Sequence, residues 1–143
     1  MNAIIGTFLA FFLTAISQFN STLEKSFIQN DSQLLSRILP QSTPLLLTLP
    51  EPLNISDCFS PEQSIIITQR IFKQITTLEF FIDQENPVIF GRNGVIIQAR
   101  WSFLNKISSR KYILRLYFYV YPEKNLSKNT SALKIREIRA EKR

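Results

Sequence analysis

In the run Tyr112-Ile113-Leu114-Arg115-Leu116-Tyr117-Phe118-Tyr119-Val120-Tyr121, guanidinium and phenol groups recur at every second residue from Arg115 onward. Lys111, Arg115, Tyr117 and Tyr119 therefore point one way from a single strand. Arg100 falls on the matching face of the strand before it. Two chemistries are open to such a face. Planar Arg and Tyr groups stack on bases and hold phosphates. The same residue types are enriched where proteins touch, including contacts between copies of one chain. An export signal at the N-terminus favours the protein contact and makes nucleic acid the weaker partner.

The opposite parity is dry. Leu114, Leu116, Phe118 and Val120 alternate with the polar set, and Val95, Ile97, Ala99, Trp101 and Phe103 do the same one strand earlier. The inward set Phe80, Ile97, Trp101, Tyr112 and Phe118 either lines an apolar cavity for a small ligand or forms a filled core. Tyr112 is the one phenol with inward parity and reads as a core tyrosine with its hydroxyl at the rim.

No catalytic kit can be assembled around these residues. Histidine is absent, which removes the commonest general base and the commonest transition-metal ligand. A single cysteine, Cys58, forms neither an intramolecular disulfide nor a zinc site and reads as a small half-buried hydrophobe. The expectation is a non-enzymatic chain with no cofactor and no metal. A pocket enzyme of the isomerase or dehydratase type and a nucleic-acid-binding sheet face are the alternatives.

Charge is divided along the chain. Residues 1–91 carry four Lys/Arg against eight Asp/Glu, whereas residues 92–143 carry thirteen against three. The basic half is the strand-rich half, so either its outer face is solubilised by Arg and Lys or it meets an anionic partner. A chain of 143 residues is one domain. Hydrophobic residues make up 45% of it and glycines number three, which argues against disorder.

The stretch Ala3–Ile16 is uncharged and almost wholly apolar. It is shorter than the ~20 residues of a comfortable membrane span and has the length of a signal-peptide core. Ala15 and Ser17 stand at the −3 and −1 positions of a cut before Gln18. Residues 1–17 are therefore expected to be a signal peptide and residues 18–143 one exported domain, periplasmic or extracellular. Met1-Asn2 supplies no Lys or Arg, so an uncleaved membrane anchor and a buried first helix are the rival readings. Asn20, Asn30, Asn54, Asn125 and Asn129 open N-x-S/T triplets, glycan acceptors if the protein is secreted by a eukaryote.

The elements that must position these faces follow from local signals. Ser21-Thr22-Leu23-Glu24 reads as a capping box for a first helix carrying Phe19, Leu23 and Phe27 on one stripe. Asn30-Asp31-Ser32 breaks it and caps a short helix that Pro40 ends. Residues 44–49 read as a buried strand and Pro50-Glu51-Pro52 as a stiff loop. Ser60-Pro61-Glu62-Gln63 starts a helix to about Ile75, with Ile65, Ile66, Phe72 and Ile75 as its core face and Gln69, Arg70 and Lys73 wet. Strands follow: one in which Leu78, Phe80 and Ile82 share a face, a short one at Val88–Phe90, then one from Val95 and the tyrosine-rich strand. Asn86-Pro87 and Arg92-Asn93-Gly94 signal turns. Residues 122–131 read as a loop, and Leu133–Arg139 as a closing strand with a bulge at Glu137-Ile138.

This order resembles the nuclear-transport-factor-two-like superfamily, whose cone-shaped α+β fold wraps a curved antiparallel sheet around N-terminal helices. The resemblance covers about residues 20–140. It is carried by F-S-P-E-Q at 59–63, Ile71-Phe72, T-x-x-F-F at 77–81, Arg100-Trp101 and I-R-E-I-R at 135–139, which are similar to small exported bacterial domains of unknown function. The resemblance implies a pocket in the cone and, in enzymatic members, acids on inward faces, often on the strand after the second helix. Here that strand reads Leu45-Leu46-Leu47-Thr48-Leu49 and holds no acid.

Overall fold

The computed structural model of the chain describes residues 2–83, 88–90, 93–125 and 127–143, with backbone alone for residues 2–12, Val88 and Phe90. The turn expected at Asn86-Pro87 and Arg92 of the next turn signal lie outside them.

Helix α1 runs unbroken over Asn2–Ile28. The capping box expected at Ser21 is therefore interior to a helix. The preceding residues contain no proline, and alanine and leucine favour helix, so nothing stops the helix before Ser21. Ile16, Phe19, Leu23 and Phe27 form its buried stripe. The end is a Schellman motif: Asn30 N–H donates to Phe27 O (3.2 Å) and Asp31 N–H to Ser26 O (2.8 Å). Asn30 occupies the left-handed position with φ 50°. Its side chain then joins three elements. Nδ2 donates to Phe72 O (3.2 Å) and Ile75 O (3.1 Å), and Oδ1 accepts from Thr77 N–H (3.0 Å). A glycan on Asn30 is incompatible with these bonds. Asp31 caps the short helix α2 (Ser32–Ser36) by accepting from Leu34 N–H.

Strands β1 (Leu45–Leu49) and β2 (Ile55–Phe59) pair antiparallel before helix α3 (Pro61–Gln74). No strand was expected at 55–59. The segment I-S-D-C-F lacks a clean apolar alternation because β2 is an edge strand, held by its pairing with β1. Then come β3 (Ile75–Ile82), β4 (Val88–Phe90), β5 (Gly94–Asn105), β6 (Lys111–Asn125) and β7 (Thr130–Lys142). One curved, open sheet runs in the order β2-β1-β7-β6-β5-β3, with β4 beside β5. The β1–β7 pair is parallel and the other pairs antiparallel, so the sheet is mixed rather than wholly antiparallel. Most of the expected loop 122–131 is strand, since β6 and β7 stay paired out to Asn125 and Thr130.

Helix α3 starts as its signals require. Ser60 Oγ accepts from Gln63 N–H and Gln63 Oε1 from Ser60 N–H, both at 3.2 Å, with Pro61 in the first turn. Its rotation differs from expectation. The buried residues are Ser64, Thr68, Ile71 and Phe72, and Ile65 and Ile66 are exposed. Ile71, Phe72 and Ile75 fix the helix, and positions 64 and 68 continue their stripe. Burial there is tolerable because Ser64 Oγ donates to Pro61 O (2.7 Å) and Thr68 Oγ1 to Ser64 O (2.9 Å).

Two bulges correct the strand faces. Thr77 pairs with Phe103 and Glu79 with Ser102, which leaves Leu78 unpaired and 48% exposed rather than inward. Tyr119 pairs with Glu137 and Val120 with Ile135, so the second bulge is at Arg136, one residue before the expected place. It lets Ile135 and Ile138 both reach the core. The end of the β6–β7 ribbon is tied to the segment that follows α2. Lys134 Nζ donates to Arg37 O (2.6 Å), Ile135 N–H to Ile38 O (2.8 Å) and Gln41 N–H to Glu123 Oε1 (2.9 Å). Burial lowers the Lys134 pKa from its ordinary 10.5, a fall that the nearby Glu123 carboxylate opposes.

Asn30→Ala removes three side-chain bonds and puts a Cβ-bearing residue without a compensating side-chain bond at positive φ. It should lose ~2–4 kcal/mol in denaturant unfolding, and Asn30→Gly less, because glycine keeps the backbone free.

Candidate functional site

The inward candidates meet in the cone. Phe80, Ile97, Trp101 and Phe118 are buried, and Tyr112 is half-buried and stacked on Phe103 with ring centroids 5.8 Å apart. Trp101 Nε1 donates to Thr77 Oγ1 at 3.0 Å, which satisfies the one polar atom of the indole. The bulge at Leu78 is what turns Thr77 inward to accept it.

The residue that decides what this cluster is comes from α1. Phe27 stacks on Phe80 (4.5 Å) and meets Phe72 (5.2 Å), Trp101 (5.1 Å) and Phe118 (5.7 Å) edge to face. It fills the middle of the buried aromatic cluster. A void beside it, walled by Phe27, Leu35, Leu47, Trp101 and Leu116 among others, is about 20 Å3. That is room for about one water, whereas ligand sites enclose roughly 300–1,000 Å3. The cluster is a filled core. Phe27 was legible as a helix-stripe residue, but nothing in its sequence neighbourhood indicates that it reaches the sheet.

The outer candidates also come together. Arg100 and Arg115 stand directly opposite each other across β5 and β6, and both are exposed. Among the described residues neither forms an ion pair. Arg115 faces Glu141 on its other side, Tyr117 faces Gln98 and Arg139, and Tyr119 faces Ile96 and Glu137. The Tyr117 hydroxyl donates to Glu141 Oε2 at 3.3 Å, and Arg139 Nε lies 3.7 Å from Glu137 Oε1. Beyond them the Arg136 guanidinium covers the Tyr121 ring at 4.5 Å. Phe81, opposite Arg100, is 59% exposed, and Leu46, opposite Glu137, is also exposed. Lys111 shares this face but sits at the strand's first position, roughly 13 Å from Arg115 at ~3.3 Å per residue. Sequence reasoning missed the acids of β7, because the register that sets them beside Arg115 and Tyr117 depends on the bulge.

A second concavity, an open groove of about 240 Å3, lies between β2 and α3. Asp57, Cys58, Phe59, Gln63, Ile66 and Arg70 help to line it. Cys58 is exposed here rather than half-buried, because β2 is an edge strand. Asp57 Oδ1 accepts from Cys58 N–H at 2.7 Å, a bond to the backbone rather than to the thiol. Among the described residues no three His, Cys, Asp or Glu side chains are placed to share a metal ion.

The sequence matches no protein-family profile and no curated protein. Solved structures match over most of the chain. A ketosteroid isomerase-like protein from Erwinia carotovora atroseptica superposes with a TM-score of 0.65 at 10% identity, covering 91% of this chain and 95% of that one. An NTF2-like protein from Cytophaga hutchinsonii gives 0.63 at 12% identity over 90% and 95%. A third, an NTF2-like protein of unknown function in nutrient uptake from Rhodospirillum rubrum, gives 0.62 at 9% identity over 90% and 98%. The fold is nuclear-transport-factor-two-like. The cone expected of that fold is here, but α1 closes it from within. Of the two residue groups singled out for function, one is core and the other lies on the outer face of the sheet.

Phe27→Ala should lose ~3–5 kcal/mol in chemical denaturation and Phe27→Leu about half of that, as expected for truncating a fully enclosed aromatic group.

Proposed function

We propose that this chain is an exported, non-enzymatic interaction domain whose outer sheet face is a protein contact between two copies. The observation that carries the reading is the plugged cone. With Phe27 filling the interior, the exposed Arg100, Arg115 and Phe81 stand together outside beside the half-buried Tyr117 and Tyr119. Two guanidinium groups opposite each other repel. Glu137 and Glu141 lie one strand further along the same face. A two-fold axis through this face lays the β7 acids of one copy across the β5–β6 arginines of the other, an isologous and self-complementary contact. Phe81 and Leu46 add apolar area to bury at its margins.

The same features weigh against the other readings. A small apolar ligand has no space to enter without unpacking Phe27. The β7 acids interrupt the basic face and repel phosphates, which disfavours nucleic acid. An isomerase-like activity requires an acid in the cone, and the inward residues of β1 are Leu45, Leu47 and Leu49. Export is supported by the Ala3–Ile16 run and the Ala15-Ile16-Ser17 site. A cut before Gln18 removes Ile16 from the buried stripe but leaves Phe19, Leu23 and Phe27 in place, so the mature helix keeps its plug.

Arg115→Glu combined with Tyr119→Ala should shift the protein towards monomer in light scattering while it stays folded, losing ~1–2 kcal/mol because Tyr119 is half-buried and position 115 faces Glu141. Tight nucleic-acid binding by a wild-type monomer, with a log–log salt slope of ~0.9 per phosphate contact, would overturn the reading.

N-terminal sequencing of protein made in its own host should begin at or near Gln18. A mature chain that keeps Met1 in the cytosol contradicts export.

A further inference from the structure

The stretch 86–122 contains no Asp or Glu and carries Arg92, Arg100, Lys106, Arg110, Lys111 and Arg115. At its centre the β5–β6 turn lifts Ile107 to 87% exposure, the highest of the large apolar residues described. That exposure is built in. Asn105 Oδ1 accepts from Ile107 N–H (2.9 Å), Ser109 N–H donates to Asn105 O (2.8 Å), and Asn105 N–H donates to Arg110 O (2.9 Å). Lys106 N–H donates to Gln74 O (3.0 Å), which fixes the turn to the end of α3. Ser109 takes φ 59° to complete the turn.

Cations surround the apex. Lys106, Arg110 and Lys111 are exposed within the turn and its next residue. Lys73 lies in the last turn of α3, next to the Gln74 carbonyl that holds Lys106. Arg143 N–H donates to Ile113 O (3.2 Å), which brings a fifth exposed cation to the same end of the sheet. None of the five is in an ion pair among the described residues. Lys142, by contrast, is held by Glu51 at 3.0 Å. Of the acids at this end, Glu51 is taken by Lys142, Asp31 caps α2 by accepting from Leu34 N–H, and Glu79 and Glu141 pair further up the sheet with Ser102 and Arg115.

We propose that the β5–β6 turn is a docking finger for an anionic lipid bilayer, with Ile107 entering the interface and the five cations meeting headgroup phosphates. An aliphatic apex in a basic collar suits the headgroup–acyl boundary of such a membrane. It suits nucleic acid poorly, because single strands are held by stacking on aromatic groups. The nearest ring, Tyr112, is turned inward onto Phe103. The finger lies at the strand ends and shares only Lys111 with the face proposed for self-association, whose test leaves Lys111 unchanged, so the two readings succeed or fail separately.

The test uses the mature protein and vesicles of phosphatidylcholine, alone or with a minority of phosphatidylglycerol. Cosedimentation should occur with the anionic vesicles only and be lost at high salt. Ile107→Asp should weaken binding at least roughly tenfold, and Lys106→Ser combined with Arg110→Ser and Lys111→Ser roughly a hundredfold. In an Ile107→Trp variant, bromine-labelled acyl chains should quench the added indole, whereas wild-type protein, whose only tryptophan is the buried Trp101, stays unquenched. Absence of vesicle binding overturns the proposal. Binding without quenching, competed equally by DNA, also overturns it and marks a general polyanion surface.

Discussion

Phe27 and the four rings around it set the terms for the rest of the molecule. The side chain belongs to α1, and its partners belong to α3, β3, β5 and β6. One residue therefore ties the N-terminal helix to every layer it touches. Aromatic pairs of this kind contribute ~0.5–1.5 kcal/mol each beyond the area they bury. The geometry holds only if α1 ends at the right point, which is the work of Asn30. Its left-handed backbone stops the helix, and its amide locks that end to the close of α3 and the opening of β3.

A filled interior divides the labour between the two faces of the sheet. The inner face is committed to packing, and even its one indole N–H is answered internally by Thr77. Both bulges serve that packing. The one at Leu78 turns Thr77 towards Trp101, and the one at Arg136 lets Ile135 and Ile138 both pack inward. Each has an effect outside as well. Leu78 is expelled to the surface, and Arg136 is placed over Tyr121. The outer face thereby gains its mixture of rings, guanidinium groups and carboxylates as a by-product of closing the core.

Strict alternation made β5 and β6 legible in the sequence, and the Ser60–Gln63 capping box marked the start of α3 because those signals are local. What escaped reading depends on partners distant in sequence. β2 looks like loop until β1 supplies its hydrogen bonds. Ile65 and Ile66 look like core until Ile71, Phe72 and Ile75 fix the rotation of α3 and bring Ser64 and Thr68 inward. The Ser21 capping signature was genuine as a pattern but lay inside a helix that nothing upstream had stopped. At the candidate sites the faces of Arg100, Arg115, Tyr117 and Tyr119 were readable from parity. The choice between cavity and core was not, because it rests on how far one phenylalanine of α1 reaches across the fold.

The indole N–H of Trp101 reports directly on that choice. It lies beside Phe27 and hydrogen-bonds Thr77 inside the cone. Its nuclear magnetic resonance signal in wild-type protein can be followed while small apolar and steroid-like ligands are added. A plugged cone predicts that the signal stays where it is, protected from solvent exchange and indifferent to every ligand. A saturable shift of that one resonance would show that Phe27 yields, and that the cone is a binding pocket after all.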